Sequence, residues 1–163
     1  MHGGNHENGL RAGTENVSGI VGFGKACELA MERMDAEVKH LVKLRDKLMK
    51  GVLEIEDCWL NGDASKRLPG NINFSFKYIE GESLLMYLDE KGIAASTGSA
   101  CSTKELKPSH VLTAIGLRPE EAHGSLRLTL GKDNTEEDVD YVLKILPEIV
   151  EKLRKMSPLA KSK

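Results

Sequence analysis

The chain has 163 residues, of which 40% are hydrophobic and 29% charged, and 23 Lys plus Arg stand against 25 Asp plus Glu for a net charge of −2. That length and balance fit one globular domain and exclude the disordered and collagen-like classes. Charge of both signs is interspersed, which argues against nucleic acid as the main partner, and no apolar run approaches the ~18 residues of a membrane span, so a cytoplasmic protein that does not engage a membrane is expected.

The opening residues His2-Gly3-Gly4-Asn5-His6-Glu7-Asn8-Gly9 carry no apolar period and read as irregular backbone able to approach a ligand closely. Apolar residues then recur at helical spacing, among them Met34, Val38, Leu41, Leu48 and Val52, predicting one long or broken helix from 17 to about 54. Strands are expected at 58–61 and 71–76, separated by the turn-forming pair Pro69-Gly70, followed by a helix at 82–91 closed by Gly92. A short strand at 93–95, helices at 109–115 and 119–122, and a strand at 125–130 come next. The last helix has a cap at Asn134-Thr135 with acidic first-turn residues, an apolar series from Val139 to Leu153, and Pro147 expected to kink it. This order predicts an α+β domain: a small, mainly antiparallel sheet covered by helices on one face. The lysine-rich residues 157–163 read as a flexible, solvated tail.

Three cysteines without a CxxC or a Cys/His cluster make a disulfide framework or a structural metal improbable. Cys27 lies in an amphipathic pattern and Cys58 precedes Trp59-Leu60, whereas Cys101 stands among small polar residues, Ser96-Thr97-Gly98-Ser99-Ala100-Cys101-Ser102, where a mobile loop could present it as a nucleophile. The alternative is an unremarkable surface thiol. Arg127 alternates with Leu126, Leu128 and Leu130, so it points away from their buried face, either into solvent or as a two-pronged carboxylate ligand. Gly9-Leu10-Arg11-Ala12-Gly13-Thr14 joins glycines, a cation and a hydroxyl just ahead of a helix, suited to a phosphate, although Thr14 could equally be an ordinary helix cap. The run Gly19 to Lys25 mimics a P-loop frame, but Ala26 cannot ligate magnesium and no strand precedes it.

Taken together the segments resemble the C-terminal half of cysteine desulfurases of the NifS/IscS type. Four stretches carry the resemblance: His2-Gly3-Gly4 through Arg11-Ala12-Gly13-Thr14-Glu15-Asn16-Val17, Gly70-Asn71-Ile72-Asn73, Ser96-Thr97-Gly98-Ser99-Ala100-Cys101, and His123-Gly124-Ser125-Leu126-Arg127-Leu128-Thr129-Leu130-Gly131. The resemblance implies a fold like the C-terminal small domain of fold-type I pyridoxal-phosphate transferases, in three parts: a cofactor and dimer-interface loop at 1–16, a small domain with its connecting helix at 17–156, and the tail. It implies that Cys101 takes the sulfur of L-cysteine as a persulfide, releasing alanine, and that Arg127 binds the substrate carboxylate. Thr14, with Arg11 nearby, would reach the pyridoxal phosphate of the neighbouring subunit in a homodimer. The Ser-Ala-Cys segment resembles the branch with a long catalytic loop, which hands sulfur to an iron–sulfur scaffold or another acceptor.

Asn5 and Asn8 depart from the Gly and Arg of many relatives. The family's cofactor domain, with the lysine that attaches to the cofactor aldehyde, would precede residue 1, so this polypeptide alone is expected to be inactive until a cofactor-binding N-terminal portion or second subunit is supplied. It would then be a split protein, an excised domain or a degenerate copy. The alternative functions are a non-catalytic sulfur carrier that docks on a scaffold and a selenocysteine lyase.

Overall fold

The computed structural model describes residues 2–97 and 108–158. After a 3₁₀ turn at His6–Gly9 come helix α1 (Val17–Val52), strands β1 (Cys58–Leu60) and β2 (Asn71–Phe76), helices α2 (Gly81–Glu90), α3 (His110–Ala114) and α4 (Pro119–His123), strand β3 (Ser125–Thr129) and helix α5 (Glu136–Met156). The chain divides into two compact units, Met1–Glu37 and Val38–Lys163, with the boundary inside α1.

In the larger unit the three strands form one antiparallel sheet in the order β1-β2-β3. The alternation of β2 places Ile72, Phe74 and Phe76 on one face, where Leu126 and Leu128 of β3 join them. Against that face pack Leu44, Leu48 and Val52 of α1, Leu84 and Leu88 of α2, and Val139, Leu146, Ile149, Val150 and Leu153 of α5. This is the expected α+β arrangement, with an aliphatic core and Phe74 and Phe76 as its buried aromatics.

One predicted element changes on inspection. Residues 93–95 form no strand, because the N–H of Ile93 bonds the carbonyl of Leu88 (2.9 Å) and that of Gly92 bonds Asp89 (2.8 Å). Those two bonds and the left-handed Gly92 (φ 75°) make a Schellman cap, which spends the donor that a strand would need. Among the described residues, pairing of this segment with β3 is the single antiparallel bridge of Ser96 with Arg127. Helix α5 extends on both sides of Pro147, which lies exposed.

Glycines set two close approaches. A Cβ on Gly70 would stand 2.3 Å from the Leu130 carbonyl oxygen, and one on Gly124 would stand 2.2 Å from that of Phe76. Those two contacts lie at opposite ends of the β2–β3 pairing, and the Pro69-Gly70 turn closes as predicted, with the Asn71 N–H on the Leu68 carbonyl at 3.2 Å.

The smaller unit is built differently. It holds the 3₁₀ turn and the first turns of α1, and no described residue from 2 to 37 is buried. Val17, Ile20, Val21, Phe23, Met31 and Met34 all lie exposed on the helix. The P-loop mimic at 19–25 is wholly helical.

Candidate functional site

The face of the sheet opposite the core is polar. Its residues are set by the same alternation: Asn73 and Ser75 of β2 and Ser125 and Arg127 of β3, with Asn73 directly opposite Arg127 and Ser75 opposite Ser125. Asn61, just past β1, continues the ladder through its N–H to the Asn73 carbonyl (2.8 Å). Asn61, Asn73, Arg127 and Ser96 therefore form one row across the sheet.

Within that row the Asn61 side-chain NH2 donates to Asn73 Oδ1 (2.6 Å) and to the buried Ser75 Oγ (2.9 Å). Arg67 holds the β1–β2 connection in shape by donating to the carbonyls of Asp63 (2.7 Å) and Asn61 (2.8 Å). Burial, then the nearby positive charge of Arg45, holds the Arg67 guanidinium below its ordinary value. Arg127 itself is exposed, as its alternation with leucines predicts, and its side chain has no hydrogen-bond or ion-pair partner among the described residues.

Beside Arg127 the chain that leads to Cys101 is rooted. Ser96 exchanges two backbone bonds with Arg127 (2.6 and 3.1 Å), and the buried Ser125 hydroxyl donates to the Thr97 carbonyl (2.9 Å). Gly81, in the first turn of α2, has the Thr97 side chain and the Ser125 carbonyl within 2.9 Å of where its Cβ would be. Cys101 lies outside the described residues.

The other sequence-predicted residues lie in the smaller unit. Asn16, not Thr14, caps α1, its Oδ1 accepting from the Gly19 N–H at 3.1 Å. The exposed Thr14 hydroxyl thus has no capping duty and no partner among the described residues. Arg11 is exposed, and its guanidinium donates to the Ala12 carbonyl. The loop ahead is wound tightly: Glu7 and Asn8 sit in the left-handed region (φ 51° and 55°), and His6 Nδ1 accepts from the Gly13 N–H at 3.4 Å. An asparagine tolerates that conformation better than most side chains, which suits Asn8 to the position.

Of the remaining thiols, Cys27 is exposed and Cys58 half-buried. Burial pushes the Cys58 thiol up to about 12 against the opposing charge of Arg154, so it is protonated at neutral pH and a poor nucleophile.

These groups fit part of the chemistry of a pyridoxal-phosphate enzyme. An unengaged hydroxyl and a guanidinium in a glycine-rich loop suit a phosphate, and an unpartnered guanidinium on the sheet suits a carboxylate. No lysine among the described residues is buried, and none is assigned to the aldehyde. Sequence reasoning singled out Arg127, Thr14 and Arg11 but missed Asn61, Ser75 and Ser125. The signal for Ser75 and Ser125 was the polar alternation of their strands, Asn73 and Ser125 stood in quoted motifs without a role, and Asn61 carried no such signal.

Comparison with known proteins gives this arrangement a context. The family model described as Aminotransferase class-V matches residues 4–142. The chain is 58% identical over 157 residues to "Cysteine desulfurase IscS 1" of Archaeoglobus fulgidus, covering 96% of this chain and 41% of that protein. It is 59% identical over 159 residues to "Cysteine desulfurase IscS" of Methanosarcina thermophila, covering 98% and 39%. Among solved structures a "NIFS-LIKE PROTEIN" superposes with a TM-score of 0.80 at 40% identity, covering 94% of this chain and 38% of that one. The chain thus spans about 40% of the length of the curated relatives it matches. The three-stranded polar face with its lone arginine, the glycine-rich loop and the extent of the family match agree, and the chain belongs to the aminotransferase class-V family.

Proposed function

We propose that this chain is the C-terminal portion of a pyridoxal-phosphate-dependent cysteine desulfurase that moves sulfur from L-cysteine onto Cys101. The observation that carries the reading is Arg127: an exposed guanidinium with no partner among the described residues, on the strand to which Ser96 and Thr97 are tied. Cys101 follows Thr97 by four residues, and an extended chain of that length reaches at most about 14 Å. In this reading four residues of chain link the nucleophile to the segment that is bonded to the strand of Arg127.

In this reading Arg127 receives the carboxylate of L-cysteine through two parallel N–H bonds and so fixes which end of the substrate meets the reacting centre. The Cys101 thiolate attacks the substrate sulfur, a sulfur–sulfur bond forms as the carbon–sulfur bond breaks, and the proton from the substrate thiol ends on the methyl group of alanine. Pyridoxal phosphate, when bound, supplies the electron sink that makes the substrate carbon–sulfur bond labile. Thr14 and Arg11 would contact its phosphate across a homodimer interface, and the cofactor-binding lysine comes from an N-terminal portion. The acceptor of the persulfide is an iron–sulfur scaffold, and the enzyme works in the cytoplasm.

A second reading is a sulfur carrier charged by another desulfurase. One experiment separates the two. The chain is mixed with the N-terminal portion of the Archaeoglobus fulgidus relative, pyridoxal phosphate and L-cysteine, and alanine is measured. Alanine release that disappears in Cys101→Ser supports the desulfurase, and cofactor loading without alanine overturns it. Arg127→Ala is expected to lower kcat/KM for L-cysteine about 100-fold, the order for a lost charge-assisted contact, mainly through KM.

A further inference from the structure

The row Asn61, Asn73, Arg127 has a direction. Both N–H groups of the Asn61 amide are spent, one on Asn73 Oδ1 and one on Ser75 Oγ. The Asn61 Oδ1, on a residue only 5% exposed, is left without a partner among the described residues. A buried acceptor without a partner costs on the order of 1–3 kcal/mol, which the two donated bonds offset in this orientation. The consequence passes to Asn73. Its oxygen is committed to Asn61, so the amide has only its NH2 to offer, beside Arg127, which faces it directly across the strands. An asparagine next to an arginine would ordinarily turn its carbonyl to the guanidinium. Here the oxygen is drawn the other way, and the two residues paired across the strands both keep N–H donors without an acceptor among the described residues. Such a pair is matched by an anion with two oxygens in one plane.

We propose that Asn73 is a second anchor for the carboxylate of an amino-acid substrate, donating from Nδ2 beside the Arg127 guanidinium, and that Asn61 and Ser75 are positioning residues that lock its amide with the donors outward. This rests on reading Arg127 as the substrate-carboxylate ligand. It adds a geometric consequence: a carboxylate bound by both residues is fixed against rotation about the guanidinium axis, which one arginine alone does not achieve.

The test is a titration of the 15N-labelled 163-residue chain with acetate and with L-alanine at constant ionic strength, chloride serving as the control anion. The Arg127 Nε–H and Asn73 Nδ2 resonances are expected to move together along one binding curve, with no such movement in chloride. Movement of Arg127 with Asn73 unchanged overturns the proposal and leaves the carboxylate reading of Arg127 in place. No movement of either overturns both. Asn73→Ala should weaken acetate binding about tenfold, the order of one hydrogen bond to a charged group. Asn73→Asp, which supplies an internal carboxylate opposite Arg127, should abolish it. Asn61→Ala should weaken it while the core resonances of Phe74 and Leu126 stay in place, and unaltered binding in that variant contradicts the locking role. If a variant fails to fold, the titration of the unaltered chain still decides.

Discussion

The two halves of α1 carry the same kind of apolar spacing and meet opposite fates. From Leu44 onward the helix buries Leu44, Leu48 and Val52, whereas Val17, Ile20, Val21, Phe23, Met31 and Met34 lie open in the smaller unit. Periodicity therefore reports that a stripe exists, not what covers it. The larger unit has its own core, and every described residue of the smaller one keeps solvent contact. Both regions supply candidate chemistry: the phosphate-suited Thr14 and Arg11 in one, the carboxylate-suited Arg127 in the other.

Substitutions can break that comparison or sharpen it. Phe74→Ala, which empties a site at 0% exposure, should cost about 3–5 kcal/mol in urea unfolding, while Phe23→Ala, at 74% exposure, should change stability by less than about 0.5 kcal/mol. Equal losses would mean that the smaller unit buries more than its description implies. Gly124→Ala drives a methyl into the Phe76 carbonyl and should destabilise by about 1–3 kcal/mol, with shifted amide resonances in β2 and β3.

The two helix caps make the next pair. Thr135 Oγ1 accepts from the Asp138 N–H (3.2 Å), and the Asp138 carboxylate accepts in return from the Thr135 N–H (2.9 Å). Thr135→Ala should lower global stability by about 1 kcal/mol, because α5 packs on the core. Asn16→Ala should leave the unfolding midpoint unchanged and speed hydrogen exchange only in the first turn of α1.

The smallest expected effect is on pH. The Thr135 N–H, then the Asn134 amide, hold the Asp138 carboxyl below its ordinary 3.8, and backbone N–H groups of Lys66 and Ser65 do the same for Asp63. A depressed folded value means that this stability is present above the unfolded value and is lost as pH falls through the folded one. Unfolding midpoints should therefore fall below about pH 4. The fall should be shallower in Asp138→Asn, and an unchanged slope in that variant would show that the carboxylate is not a contributor.

Most of the fold was legible because it rests on local signals. The alternation at 71–76, the Pro69-Gly70 turn and the Thr135 cap each identify their element without reference to the rest of the chain. The strand expected at 93–95 failed because Ile93 serves the C-terminal cap of α2, and a hydrophobic residue after Gly92 satisfies a cap as well as a strand. Of the candidate site, the carboxylate role of Arg127 rested on the family resemblance, whereas its outward placement was legible from its alternation with leucines. The choice between Thr14 and Asn16 as helix cap was not, since both precede the helix and both have capping side chains. Nor was the locked orientation of Asn73, which depends on a register that brings Asn61 beside it from twelve residues away.

The central claim is that Cys101 receives sulfur from a substrate oriented by Arg127. Its most direct test is one turnover with isotopically labelled L-cysteine by the chain reconstituted with a cofactor-loaded N-terminal portion, followed by mass spectrometry of the peptide containing Cys101. The account predicts one additional labelled sulfur atom on Cys101, matched by an equal amount of alanine and strongly reduced in Arg127→Ala. Alanine formed with the label on Cys27 or Cys58, or with no labelled protein sulfur at all, would contradict it.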